Sequence, residues 1–193
     1  DVTVIDHGGA IGRRAYVAYW DAGLMILDAS DVTPGVIEAG SAKQPLNPDH
    51  SIDPSPSLHV HHAFPAFDGA RVFIQDEFAT VATNQALDRD EPIQMWDITN
   101  PATPAYVDGI DLGSPLQPLV NPPHNLEIRY DLDVDGDGAP DRDRLYVGWY
   151  RGGLQAFDFN PSGFTGHPFR HEVQTEANDG TWDGAWAVRI ERI

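Results

Sequence analysis

The chain of 193 residues contains no cysteine. Disulfides, thiolate metal sites and cysteine nucleophiles are excluded together, but the compartment is not, since an exported protein can also lack Cys. Lysine is almost missing too: Lys43 stands alone among 12 basic residues, the rest being Arg. Against 30 Asp+Glu this leaves a net charge of −18. Nucleic acid is therefore not a partner, because phosphate contacts need clustered basic side chains. No apolar run approaches the roughly 18 residues of a membrane span. The opening DVTVIDHGGAIGRR has neither the basic start nor the apolar middle of a signal peptide. It begins at Asp1 rather than Met, as a processed form or a piece of a longer chain would.

What is present suffices for a core, since 41% hydrophobic and 10% aromatic residues exclude global disorder. The 18 Gly and 16 Pro are spread throughout, punctuating many short elements rather than long helices. Three segments repeat one pattern: AYVAYWDAGLMILDAS from Ala15, RVFIQDE from Arg71 joined after an insertion by PIQMWDITNP, and RLYVGWYRGGLQAFDFNP from Arg144. In each, a β-branched and aromatic run ends at a polar residue, and a second run closes on Asp28, Asp97 or Asp158. Two strands per unit follow. A further strand is expected upstream, near His7, His62 and His124, and another downstream, in TPGVIEAG, TPAYVDGI and HPFRHEVQ.

Four strands per unit, with 55 residues from His7 to His62 and 62 from His62 to His124, is the arithmetic of an all-β β-propeller with insertions in its blades. A β-sandwich would share the strand spacing but not the recurring strand pair ending on Asp. The expected blades cover about 1–45, 56–112 and 120–178, and 182–193 would open a fourth. Propellers close with roughly four to eight blades, so the expectation is one incomplete domain whose end faces are covered by further blades.

The runs YVAYWDAGLMILDAS, MWDITNPATP and PHNLEI, the last followed by RLYVGWYRGGLQAFDFNP, resemble the LVIVD-repeat β-propellers. The likeness extends over almost the whole chain but departs from the pattern in the second unit, where Pro92-Ile93 replaces Gly-Leu and residues 79–91 are inserted. It implies an exported or cell-surface protein and leaves the biochemical activity open.

The sharpest local motif is DLDVDGDGAPDRD. Hard cations take six to eight oxygens, and acids at alternate positions can wrap one where Gly permits the turn. Counting from Asp131 places Arg142 at the twelfth position, where an EF-hand needs Glu. Counting from Asp133 gives Asp133, Asp135, Asp137, Gly138 and Asp141. That register is similar to the D-x-D-x-D-G-x-x-D calcium loops of integrin-type blades, between two strands. A structural Ca2+ is expected, the competing interpretation being a solvated acidic turn.

Histidine forms the second constellation. If His7, His62 and His124 project from the first strands of successive blades, their imidazoles can converge on the channel and hold a borderline transition metal. His59 and His61 are further candidates, on the opposite strand face from His62. Glu77 and Arg151, with Asp21, would form a polar rim there. Alternatively the histidines cap strands and fill the channel, as structural residues of a repeat do. No G-x-S-x-G elbow supports a serine nucleophile, and the five Trp are assigned to packing between blades.

Two functions follow. The favoured one is an exported, calcium-stabilised scaffold or binding surface whose partners are the remaining blades and a protein or small-molecule ligand. The alternative is a metal-dependent hydrolase or oxidase, with a histidine-held metal, Glu77 as general base and Arg151 holding an anionic substrate.

Overall fold

The computed structural model describes residues 1–20, 23–30, 60–76, 93–110, 123–132, 142–149 and 153–171. All regular structure within them is β. Strands β1 (Val2–Asp6), β2 (Arg13–Ala18) and β3 (Leu24–Asp28) form a first sheet. β4 (Val60–Pro65), β5 (Arg71–Asp76), β6 (Ile93–Asp97) and β7 (Ala105–Ile110) form a second. β8 (Pro123–Leu132), β9 (Arg142–Trp149), β10 (Gly153–Asn160) and β11 (Gly163–His171) form a third. Neighbours in each sheet are consecutive in sequence and antiparallel. These meanders match the expected strand pairs, and TPAYVDGI and HPFRHEVQ supply β7 and most of β11. The downstream strand expected in TPGVIEAG and the tail 182–193 lie outside the described residues.

The sheets stack in chain order. β1 and β2 lie against β4, β8 lies against β4 and β5, and β7 meets β11. Tyr16, Ala18, Leu24 and Ile26 of the first sheet pack with Val60, Ala63, Val72, Ile74 and Trp96 of the second. On the other face of the second sheet, Phe73, Ile93 and Met95 pack with Leu126, Ile128, Leu145, Val147, Trp149, Phe157 and Phe159 of the third. Because successive side chains of a strand alternate between faces, covering both faces of the second sheet requires apolar residues in unbroken runs. That is the physical reason VFI in β5 and IQMW in β6 lack a polar-apolar alternation. The first sheet alternates instead: Tyr16 and Ala18 point inward, while Val2 and Val4 on the far face are 56% and 55% exposed.

An Arg and an Asp recur at matching positions across the central hairpin of every sheet. Arg14 pairs in register with Asp28, Arg71 with Asp97 and Arg144 with Asp158. Arg71 Nη1 lies 3.0 Å from Asp97 Oδ2, and Arg144 grips Asp158 with Nε at 2.6 Å and Nη2 at 3.3 Å. The bond to Asp158 raises the Arg144 pKa, although burial opposes it. Asp28 and Asp97 also cap the turn that follows, accepting from the Ser30 and Thr99 amides at 2.9 and 2.8 Å. In the third sheet Asn160 takes that capping role towards Ser162 at 2.7 Å, and the carboxylate of Asp158 binds its arginine. The hairpin then closes at Gly163, whose φ of 143° lies outside the range favoured by other residues.

Candidate functional site

The first strand ends at Asp6, immediately before His7, rather than beginning at that histidine. Gly8, Gly9 and Gly12 all have positive φ and form the β1–β2 turn, a conformation that glycine adopts without steric cost. His62 and His124, by contrast, lie near the starts of β4 and β8. The 55-residue spacing therefore compares opposite ends of two strands.

Each imidazole has its own partners. His7 Nδ1 lies 2.8 Å from the Phe67 carbonyl, so it carries the hydrogen, and Nε2 accepts from the Tyr16 hydroxyl at 2.9 Å. Burial pushes the Tyr16 pKa up to about 12, which keeps that hydroxyl a donor. The bonds tie the first sheet to the β4–β5 turn of the second. His62 Nδ1 accepts from the Leu126 amide at 3.1 Å, so its hydrogen sits on Nε2, 3.4 Å from Asp1 Oδ2. Burial is the main cause that lowers its pKa to about 4, followed by the charges of His61, the amino terminus and His124. Both ring nitrogens of His7 and of His62 are thus engaged within the fold. Among the described residues, no three His, Asp or Glu side chains stand together so that they could hold a metal ion, and the trio His7, His62 and His124 is not gathered at one point.

The structure instead brings together His61 and His124. Pairing of β4 with β5 slips between Val60 and His62, and pairing of β8 with β9 slips between Pro123 and Asn125. His61 and His124 are therefore the extra residues of two equivalent β-bulges, one in each sheet. Such bulges re-aim side chains. Their ring centroids lie 4.6 Å apart at an interplanar angle of 47°. His61 Nδ1 is 3.3 Å from both Gln75 Oε1 and the His124 carbonyl. Since both are acceptors, Nδ1 carries a hydrogen. Gln75 is fully buried, and its orientation is fixed by an Nε2 bond to the Pro123 carbonyl at 2.5 Å.

The row continues into the first sheet. Trp20 pairs with Val60 through both backbone bonds, at 3.0 and 3.3 Å, and its indole meets the His61 ring edge-on at 5.8 Å. Its φ of 48° is a left-handed conformation rarely adopted by a bulky residue. Trp20 is 40% exposed, and the two imidazoles are half-buried.

Asp21, His59, Glu77, Asp133, Asp135, Asp137, Asp141 and Arg151 lie outside the described residues. The strands on either side of the stretch from Asp133 to Asp141 are described: β8 and β9 remain paired as far as Leu132 and Arg142, which adjoin it. Gln75 and the three Arg–Asp pairs were missed in the sequence. The pairs carry a legible signal, an Arg opening one strand and an Asp closing the next, whereas the bulges that align His61 with His124 leave none.

No curated protein matches the chain. Residues 11–38, a span that includes all of β2 and β3, match the family model of the LVIVD repeat.

Proposed function

We propose that the chain belongs to a β-propeller of the LVIVD type that works as an exported or cell-surface scaffold or binding surface, stabilised by calcium. The carrying observation is the equivalence of faces. Arg14, Arg71 and Arg144 align the central strands, so Ala15 and Val17 correspond to Val72 and Ile74 and to Leu145 and Val147. Val72 and Ile74 are buried against the preceding sheet, as are Leu145 and Val147. The corresponding face of the first sheet carries Val2, Val4, Ala15 and Val17, and its two β1 valines are more than half exposed. By the rule that operates twice within the chain, the partner of that face is another sheet of the same repeat. Calcium in the loop of Asp133, Asp135, Asp137 and Asp141 would pin the β8–β9 hairpin, and the pairing of its flanking strands supports that position.

Sedimentation velocity tests the packing. The chain should self-associate with rising concentration through its apolar face, and Val4→Asp should shift it to monomer without lowering its unfolding midpoint. A wild-type chain that remains monomeric throughout would refute this assignment of the first sheet's face.

A further inference from the structure

We propose that His62 is an acid-operated fastener between sheets: protonation of its imidazole releases β8 from β4 at Leu126 and leaves the first sheet attached to the second. The geometry of the junction carries this independently of ring closure, calcium or a scaffold role. What opens is local, one strand contact rather than the whole fold.

One side chain here joins three sheets. His62 belongs to β4 of the second sheet, and its Nδ1 accepts from the Leu126 amide of β8 in the third. Its Nε2 lies 3.4 Å from Oδ2 of Asp1, the residue before β1 in the first. The ring is buried between them.

The two nitrogens answer a proton in opposite ways. A neutral imidazole has one donor and one acceptor nitrogen, whereas in the cation both donate. The incoming proton takes the Nδ1 lone pair on which the Leu126 N–H depends, so two N–H groups face each other across 3.1 Å. On the other side, the Nε2 contact with Asp1 becomes an ion pair. A single proton thus exchanges a hold on the third sheet for a stronger hold on the first. His61 and Gln75 of the second sheet also reach β8, but they donate to the carbonyls of His124 and Pro123. A donor remains a donor on protonation, so of these three contacts only that of His62 reverses. At His7 the nitrogen that would be protonated faces the Tyr16 hydroxyl, which can turn and accept, and its bond to the Phe67 carbonyl persists.

The surroundings hold the closed ring neutral. Around it stand His61 on the same strand, His124 on β8, and the amino group and carboxylate of Asp1, while on β5 Asp76 is in register with Val60. Burial acts most strongly, and His61, the amino group and His124 reinforce it, giving a pKa of about 4. An opening that exposes the ring to water restores the ordinary 6.5. The ratio of open to closed junctions then rises about twentyfold between pH 7 and 5.

Amide exchange of the wild-type chain, followed by NMR and expressed as protection factors so that the intrinsic pH dependence cancels, tests the fastener. The Leu126 amide should lose about twentyfold in protection between pH 7 and 5, while the Ala18 amide, bonded to the Asp1 carbonyl, stays within about twofold. His62→Gln offers Leu126 an acceptor that does not titrate, and should abolish the loss. Because that variant could fail to fold, the wild-type imidazole supplies a second readout: its nitrogen resonances at pH 6 should show Nδ1 without a hydrogen. Constant protection at Leu126, an equal loss at Ala18, an undiminished loss in His62→Gln, or a hydrogen on Nδ1 at pH 6 would each overturn the proposal.

Discussion

Lowering the pH from 7 to 5 should weaken the contribution of His62 to the fold. Its imidazole stays neutral in the folded chain down to about pH 4, chiefly because burial disfavours the cation, against an ordinary value of 6.5 in the unfolded chain. Between those values the unfolded chain binds a proton that the folded chain does not. The stability contribution is complete above pH 6.5, declines as the pH falls, and is exhausted below about 4. The whole difference corresponds to about 3 kcal/mol, of which about 2 kcal/mol is lost between pH 7 and 5. Asp1 works in the opposite direction, with Oδ2 3.4 Å from Nε2. Its side chain is 44% exposed while that of His62 is 10% exposed, so water screens the attraction and burial dominates. Guanidinium unfolding of wild type and His62→Gln at pH 7, 6 and 5 isolates the effect from other titrating groups. The wild type should be the more stable at pH 7, and the gap should shrink by about 2 kcal/mol at pH 5. A gap that stays constant across this range would refute the assignment of a buried, neutral imidazole.

Two further outcomes follow from packing and from the acidic loop. Phe73 is fully buried between the second and third sheets and meets the Phe159 ring at 4.6 Å, so Phe73→Ala should cost about 4 kcal/mol in urea unfolding; a loss below about 1 kcal/mol would mean that the interface collapses around the cavity. Replacing Asp135 and Asp137 by Asn should lower the melting temperature in calcium but not in chelator, with wild-type affinity of about 10⁻⁴–10⁻³ M. A melting curve that ignores both calcium and chelator would reduce the loop to a charged turn.

The strands were legible where residues alternate or run apolar between turns. β3, β5, β6 and β10 fall within the repeated segments, β2 and β9 begin two residues before them, and the closing Asp of each unit takes part in a cross-strand position with Arg. β1 was misplaced because His7 was aligned with His62 by residue type, although the glycines after His7 belong to a turn. The histidine constellation failed in a related way. Counting residues along a strand assumes regular alternation, and a bulge adds one residue that counting cannot see. His61 therefore corresponds to His124, and His62 turns to the Leu126 amide instead. The roles of Gln75 and Tyr16 depend on contacts between strands distant in sequence, such as Gln75 with Pro123, which no local pattern encodes.

The second sheet, enclosed on both sides, has a consequence for how the molecule opens. Its amides in β5 and β6 can exchange with heavy water only after a neighbouring sheet has moved away, whereas the outer face of the first sheet meets solvent directly. Exchange should therefore be graded, slowest at the centre of the stack. The same enclosure narrows evolutionary latitude: a substitution in VFI of β5 must suit two interfaces with different shapes, while a change at Val2 or Val4 answers to one. Sequence drift among homologous sheets should accordingly be lowest in the strands corresponding to β5 and β6.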